Sequence, residues 1–122
     1  MKQLLTVVLL LTASAAAQAS PVETWECRDN YRGTGAILVT ATVEPGRKRG
    51  SIAVAGVKHA TVFQVAGFDR RWDFGLSNNH SQYAFIIEPN GNAQYFDFGK
   101  KREASPSKLM QCIETGAANA PN

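Results

Sequence analysis

The sequence predicts an all-β domain: a small antiparallel β-sandwich or barrel of about seven or eight short strands, held by one disulfide and preceded by a cleavable signal peptide. Three observations predict it. Apolar and β-branched runs recur along the chain, separated by Gly, Pro, Asn and Asp, which is the spacing of strands and turns. Two cysteines, Cys27 and Cys112, stand near the two ends of the chain that follows the leader. The first nineteen residues run from a charge (Lys2) through an apolar stretch (Leu4 to Leu11) to small residues ending in Ala17-Gln18-Ala19, the order of zones in a secretory signal.

The leader is too broken to anchor the product. Its apolar stretch is interrupted by Thr12 and Ser14 and falls short of the roughly 18 apolar residues that span a bilayer. The first cysteine follows Trp25-Glu26, well past the cleavage site, so a lipid anchor is not expected either. Cleavage near Ala19 leaves a single β domain over 20–116 and a polar, disordered tail over 117–122, in the periplasm or the medium. Losing Lys2 leaves 12 basic and 10 acidic residues, a net charge of +2. That balance is mild: it permits an anionic envelope component or an extracytoplasmic protein as partner and does not call for nucleic acid. An oxidising compartment makes Cys27 and Cys112 a disulfide.

The elements follow in order. Val22 to Arg28 is a strand with Trp25 and Cys27 on one face. Ala36 to Val43 alternates Ile37, Val39, Ala41 and Val43 against Leu38, Thr40 and Thr42, the clearest strand pattern of the chain. Glu44-Pro45-Gly46 turns into Ser51 to Ala55, and Gly56 precedes a strand from about His59 to Val65. Arg71 to Leu76 places Trp72, Phe74 and Leu76 on a core stripe, with Arg71 and Asp73 paired on the other face. Gln82 to Glu88 and Ala93 to Phe98 form a hairpin around Pro89-Asn90-Gly91. Lys108 to Glu114 closes the set as a strand or one helical turn.

Two registers compete at that hairpin. The turn chemistry suits a three-residue loop that sets Phe85 opposite Tyr95 and Asp97 beside Tyr83. A four-residue loop instead sets Phe85 opposite Phe96 and sends Asp97 outward. The cost of burying an unpaired charge favours the second and makes Asp97 a surface carboxylate.

If consecutive strands are neighbours, the turns alternate between the two ends of the domain. One end collects Arg47-Lys48-Arg49, Asp69-Arg70-Arg71 and the Pro89 turn; the other collects Tyr31-Arg32, Lys58-His59, Asn78-Asn79-His80 and Lys100-Lys101-Arg102. Arg47, Lys48, Arg49, Arg70 and Arg71 are therefore the candidate binding residues, set against the plainer reading that they are solvated turns.

Catalytic and metal patterns are not found. Gly75-Leu76-Ser77-Asn78-Asn79 lacks the second glycine of a nucleophile elbow. There is no Cys-x-x-Cys, and His59 and His80 stand apart in turns, so neither metal nor cofactor is implied. A hydrolase built on Asp73, Asp97 or His80, and a small-molecule carrier, are kept as weaker alternatives. An interior filled by Trp25, Phe63, Phe74 and Phe85 would exclude the carrier.

The plan of a leader, a short β-barrel and a disulfide from an early strand to the last one resembles the small periplasmic inhibitors of lysozyme. That resemblance implies inhibition of a cell-wall hydrolase as an alternative function. The inhibitory loop of that family, of the form Ser-Gly-x-x-Tyr, is not present; the nearest stretch is Asn79-His80-Ser81-Gln82-Tyr83, and no inhibitory residue is carried over. The principal expectation is a non-enzymatic binding or interaction module outside the cytoplasm. Partner identity and oligomeric state are not set by the sequence.

Overall fold

The computed structural model describes residues 20–99 and 105–116. It is all-β, with nine strands: β1 (Glu23–Arg28), β2 (Ile37–Val43), β3 (Gly50–Val54), β4 (Val57–His59), β5 (Thr61–Ala66), β6 (Asp69–Ser77), β7 (His80–Ile87), β8 (Asn92–Asp97) and β9 (Lys108–Thr115). They form one antiparallel sheet in the order β4-β3-β2-β1-β9-β8-β7-β6-β5. Apart from β1 and β9, every paired neighbour is also a neighbour in sequence, so the chain is a meander closed by its first and last strands. The leader over 1–19, the cluster Lys100-Lys101-Arg102 and the tail over 117–122 lie outside the described residues.

The two edges of this sheet, β4 and β5, are joined by one residue, Ala60. Val57 to His59 pairs with β3, and Thr61 to Ala66 then pairs with β6. A strand that changes partner midway must carry one edge of the sheet round to the other, which makes a nearly closed barrel. The single strand expected from about His59 to Val65 thus starts earlier and splits at Ala60. This takes the count to nine.

The seam where β3 meets β5 and β6 is packed rather than hydrogen-bonded as a ladder. The Trp72 Nε1–H donates to the Thr42 carbonyl across it at 3.1 Å. A Cβ on Gly50 would stand 2.4 Å from that carbonyl oxygen and 2.7 Å from Trp72 Nε1, so only glycine lets β3 approach. His59 packs its ring 5.2 Å from Phe74 and is half-buried. The solvated-turn expectation therefore fails for this histidine.

Alternation places Trp25, Cys27, Val39, Ala41, Val43, Ile52, Phe63, Trp72, Phe74, Phe85, Ile87 and Met110 in one buried cluster. Trp72, Phe74, Phe85, Ile52, Ile87 and Met110 are fully enclosed, so the barrel interior is side chain. Trp25, Phe63, Phe74 and Phe85, the residues expected to fill the interior, are all buried. Cys27 and Cys112 face each other in the β1–β9 register and form the disulfide.

Two apolar residues leave the stripes they were expected to extend. Ile37 is exposed because the β1–β2 register shifts at Cys27/Arg28. Leu76 is exposed beyond Gly75, whose φ of +69° is left-handed and whose missing Cβ is replaced by the Tyr83 ring.

The hairpin register is the three-residue one, which corrects the four-residue expectation. Gly91 N–H donates to the Glu88 carbonyl and Glu88 N–H to that of Asn92, while Phe85 pairs with Tyr95 and Tyr83 with Asp97. Turn chemistry prevails because Gly91 is needed twice: its φ is +94°, and a Cβ there would sit 2.4 Å from the Cys112 carbonyl oxygen. The feared burial cost does not arise. Asp97 lies on the inward side but at the barrel mouth, half-buried, and its Oδ1 accepts from the Gly99 N–H at 3.0 Å.

Candidate binding site

The meander sends the β2–β3 turn, the β5–β6 turn, the start of β1 and the end of β9 to one end of the barrel. The core stripe of β1 therefore reaches that end as Glu23, in register with Val43. Glu23 is 3% exposed, and burial by itself would push its carboxyl pKa up. Hydrogen bonds overcome that. Arg70 forks onto both oxygens, from Nε to Oε1 at 2.8 Å and from Nη2 to Oε2 at 2.7 Å. Trp25 Nε1–H donates to Oε1 at 2.9 Å, and Arg47 Nη1 donates to Oε2 at 2.6 Å. The carboxyl is held at about 2.

The network plugs the end of the core. The hydrogen bonds to Glu23 raise the Arg70 guanidinium further above its usual value. Glu114, opposite Trp25 in the β1–β9 register, has its carboxyl pKa raised, first by burial and then by the charge of Glu23. A planar guanidinium suits such a site because its donors match both carboxylate oxygens at once.

The five candidate cations thus meet different fates. Arg47 and Arg70 turn onto Glu23, Arg47 remaining half-exposed. Arg71 forks onto Asp73 on the outer face of β6, at 3.0 to 3.1 Å, as the sequence pattern implies. Lys48 and Arg49 are exposed and make no ion pair among the described residues. They wall an open groove of about 330 Å³, completed by Glu44, Gly50, Thr61, Val62 and Phe63. Further along β5, Val65 shares the inward face of Phe63 yet is 40% exposed, and Phe68 at the β5–β6 turn is 82% exposed.

Glu23 is absent from the sequence-derived candidates, although its signal was present: it occupies the same period-two face of β1 as Trp25 and Cys27. A charge on a core stripe requires a partner. The partners come from 24 and 47 residues further along the chain, beyond the reach of any local pattern.

A second open groove, of about 490 Å³, lies along the β6–β7 hairpin and is lined by Asp73, Ser77, His80 and Ser81 among others. Asp73 is committed to Arg71, and no side-chain hydrogen bond among the described residues links His80 to Ser77, Ser81 or Asp73. The groove collects residue types used in acyl transfer without the relay that would activate a serine. Asp97 does not line it. No group of three or more His, Cys, Asp or Glu side chains among the described residues is placed to hold a metal ion. None of the described helices is long and apolar enough to cross a membrane.

No family model matches the chain, and no curated protein or solved structure matches it.

Proposed function

We propose that this protein is an exported, non-enzymatic interaction module that binds an acidic protein partner at the seam end of its barrel. The supporting observation is an asymmetry of charge. Arg47, Arg70 and Arg71 are ion-paired with carboxylates of the chain itself, whereas Lys48 and Arg49 are left without an ion pair among the described residues, in a groove that exposed Val62 also lines. Unpaired cations beside an exposed apolar side chain favour an anionic surface and steer its approach. The filled interior directs recognition to the outside of the barrel.

The test is affinity capture of the mature protein's partners from an envelope extract, with Lys48→Glu/Arg49→Glu set against Arg71→Gln. The double reversal is expected to lose the acidic partner and Arg71→Gln to retain it. Recovery of the same proteins by all three forms would refute the reading.

The barrel whose disulfide joins its first and last strands also fits the outline of the lysozyme inhibitors, a second reading. An excess of pure protein that leaves several lysozyme types at full rate would remove it.

A further inference from the structure

We infer that the free edge of β5, together with the Lys48/Arg49 groove beside it, receives an extended acidic segment of another protein by strand addition. This deepens the reading above, on which its choice of an acidic partner rests, and names the mode of binding.

β5 is the last strand of the sheet and pairs only with β6 among the described residues. An unpaired strand edge is a template for another strand, and folded proteins blunt such edges with lysine, proline, bulges or cover. Thr61-Val62-Phe63-Gln64-Val65-Ala66 has no charge, no proline and three β-branched residues, and β3 packs against it only as a seam without ladder hydrogen bonds. Its register with β6 is unbroken from Thr61↔Phe74 to Ala66↔Asp69. Four of its six residues are exposed, and they include Val65 on the core-facing side. An added strand would supply main-chain hydrogen bonds along the edge and, because successive side chains alternate in face, set one row against Val65 and the other against Val62.

Charge decides the occupant. Edge-to-edge pairing of two copies would bring Lys48 and Arg49 of both against one seam, and like charges disfavour it. The same two cations favour a segment bearing carboxylates, Glu44 being the one acidic residue that lines the groove. An acidic extended segment satisfies the edge, the exposed valines and the cations together.

The probe is a blocked peptide of alternating Val and Glu, about eight residues long and so able to span β5. It is added up to millimolar concentration to the mature, disulfide-intact protein, and the backbone amides are followed by NMR shift and hydrogen exchange. The expected result is shifts and new protection at Gln64 to Ala66, with binding weakened about tenfold by Lys48→Glu/Arg49→Glu. Binding should disappear when the peptide is N-methylated at alternate residues or when Lys replaces its Glu. Shifts confined to the Lys48/Arg49 turn, with β5 amides unchanged or N-methylation tolerated, would overturn strand addition and leave the acidic-partner reading standing. No binding of the peptide at all would overturn the inference, as would β5 amides already protected in a dimeric free protein. Equal binding of the Lys peptide would overturn the acidic-partner reading itself.

Discussion

Acidification should unfold this protein largely through Glu23. Its carboxyl falls from an ordinary 4.5 to about 2 in the folded chain. A pKa depressed by folding means that the unfolded state binds the proton more readily. The carboxylate's contribution is therefore complete above pH 4.5 and drains away as the pH falls through 2. At about 1.4 kcal/mol per unit, the shift corresponds to about 3 kcal/mol, a large share of the roughly 5 to 15 kcal/mol that holds a domain folded. Glu114 acts in the opposite sense. Its raised pKa means that the folded state binds the proton more readily, so its protonation relieves a penalty at higher pH than Glu23 titrates. Stability should thus hold level or rise slightly on first acidification and then drop. Urea unfolding, read by the emission of the two buried tryptophans Trp25 and Trp72, measures this across pH 7 to 2. Wild-type protein should lose about 3 kcal/mol more than Glu23→Gln between pH 4.5 and 2. Glu23→Gln should already be about 3 kcal/mol less stable at pH 7, because Arg70 is left without its counter-charge. Parallel pH profiles for the two proteins would refute the assignment of the network to stability.

Other consequences are equally direct. Arg70→Ala and Arg71→Ala remove the same charge from adjacent positions, yet urea midpoints should show a loss of about 3 kcal/mol for the first, which strands a buried carboxylate, and under about 1 kcal/mol for the second, whose pair is partly solvated. Reducing the Cys27–Cys112 bond opens a loop whose ends are 85 residues apart, and unfolding with and without reductant should differ by about 4 to 5 kcal/mol. Gly50→Ala places a methyl group 2.4 Å from the Thr42 carbonyl oxygen and should cost about 2 kcal/mol or more, with loosened seam packing visible in the near-ultraviolet signal of Trp72. Gly46→Ala meets nothing within 4 Å and carries only the strain of its φ of +87°, about 1 kcal/mol.

Period-two alternation and turn composition were enough to predict an all-β chain, most strand positions and the inward faces of Trp25, Trp72, Phe74 and Phe85. Those signals are local: each strand's face follows from its own residues, and each turn from the Gly, Pro or Asn within it. The Arg71–Asp73 pair was legible for the same reason, because residues two apart on a strand share a face. The disulfide followed from there being two cysteines and an expected oxidising compartment.

What only the tertiary structure decided involves residues distant in sequence or two local signals in conflict. The seam at Ala60 depends on where β3 and β6 stand, so the run from Val57 to Ala66 reads as ordinary strand until both partners are in place. At Pro89-Asn90-Gly91 the turn and the hydrophobic pattern disagreed, and the close approach of Gly91 to the Cys112 carbonyl decided between them. The cations divided in the same way. Arg47, Lys48 and Arg49 share one turn, and which of them is ion-paired depends on Glu23, brought beside Arg47 only when β1 and β2 pair. The sequence by itself determined the strand class, the staple and the sorting of charged turns to the two ends of the barrel, because periodicity and composition act along the chain. Closure of the barrel determined which charges and which strand edge stay open, because burial and pairing act between segments that the sequence keeps apart.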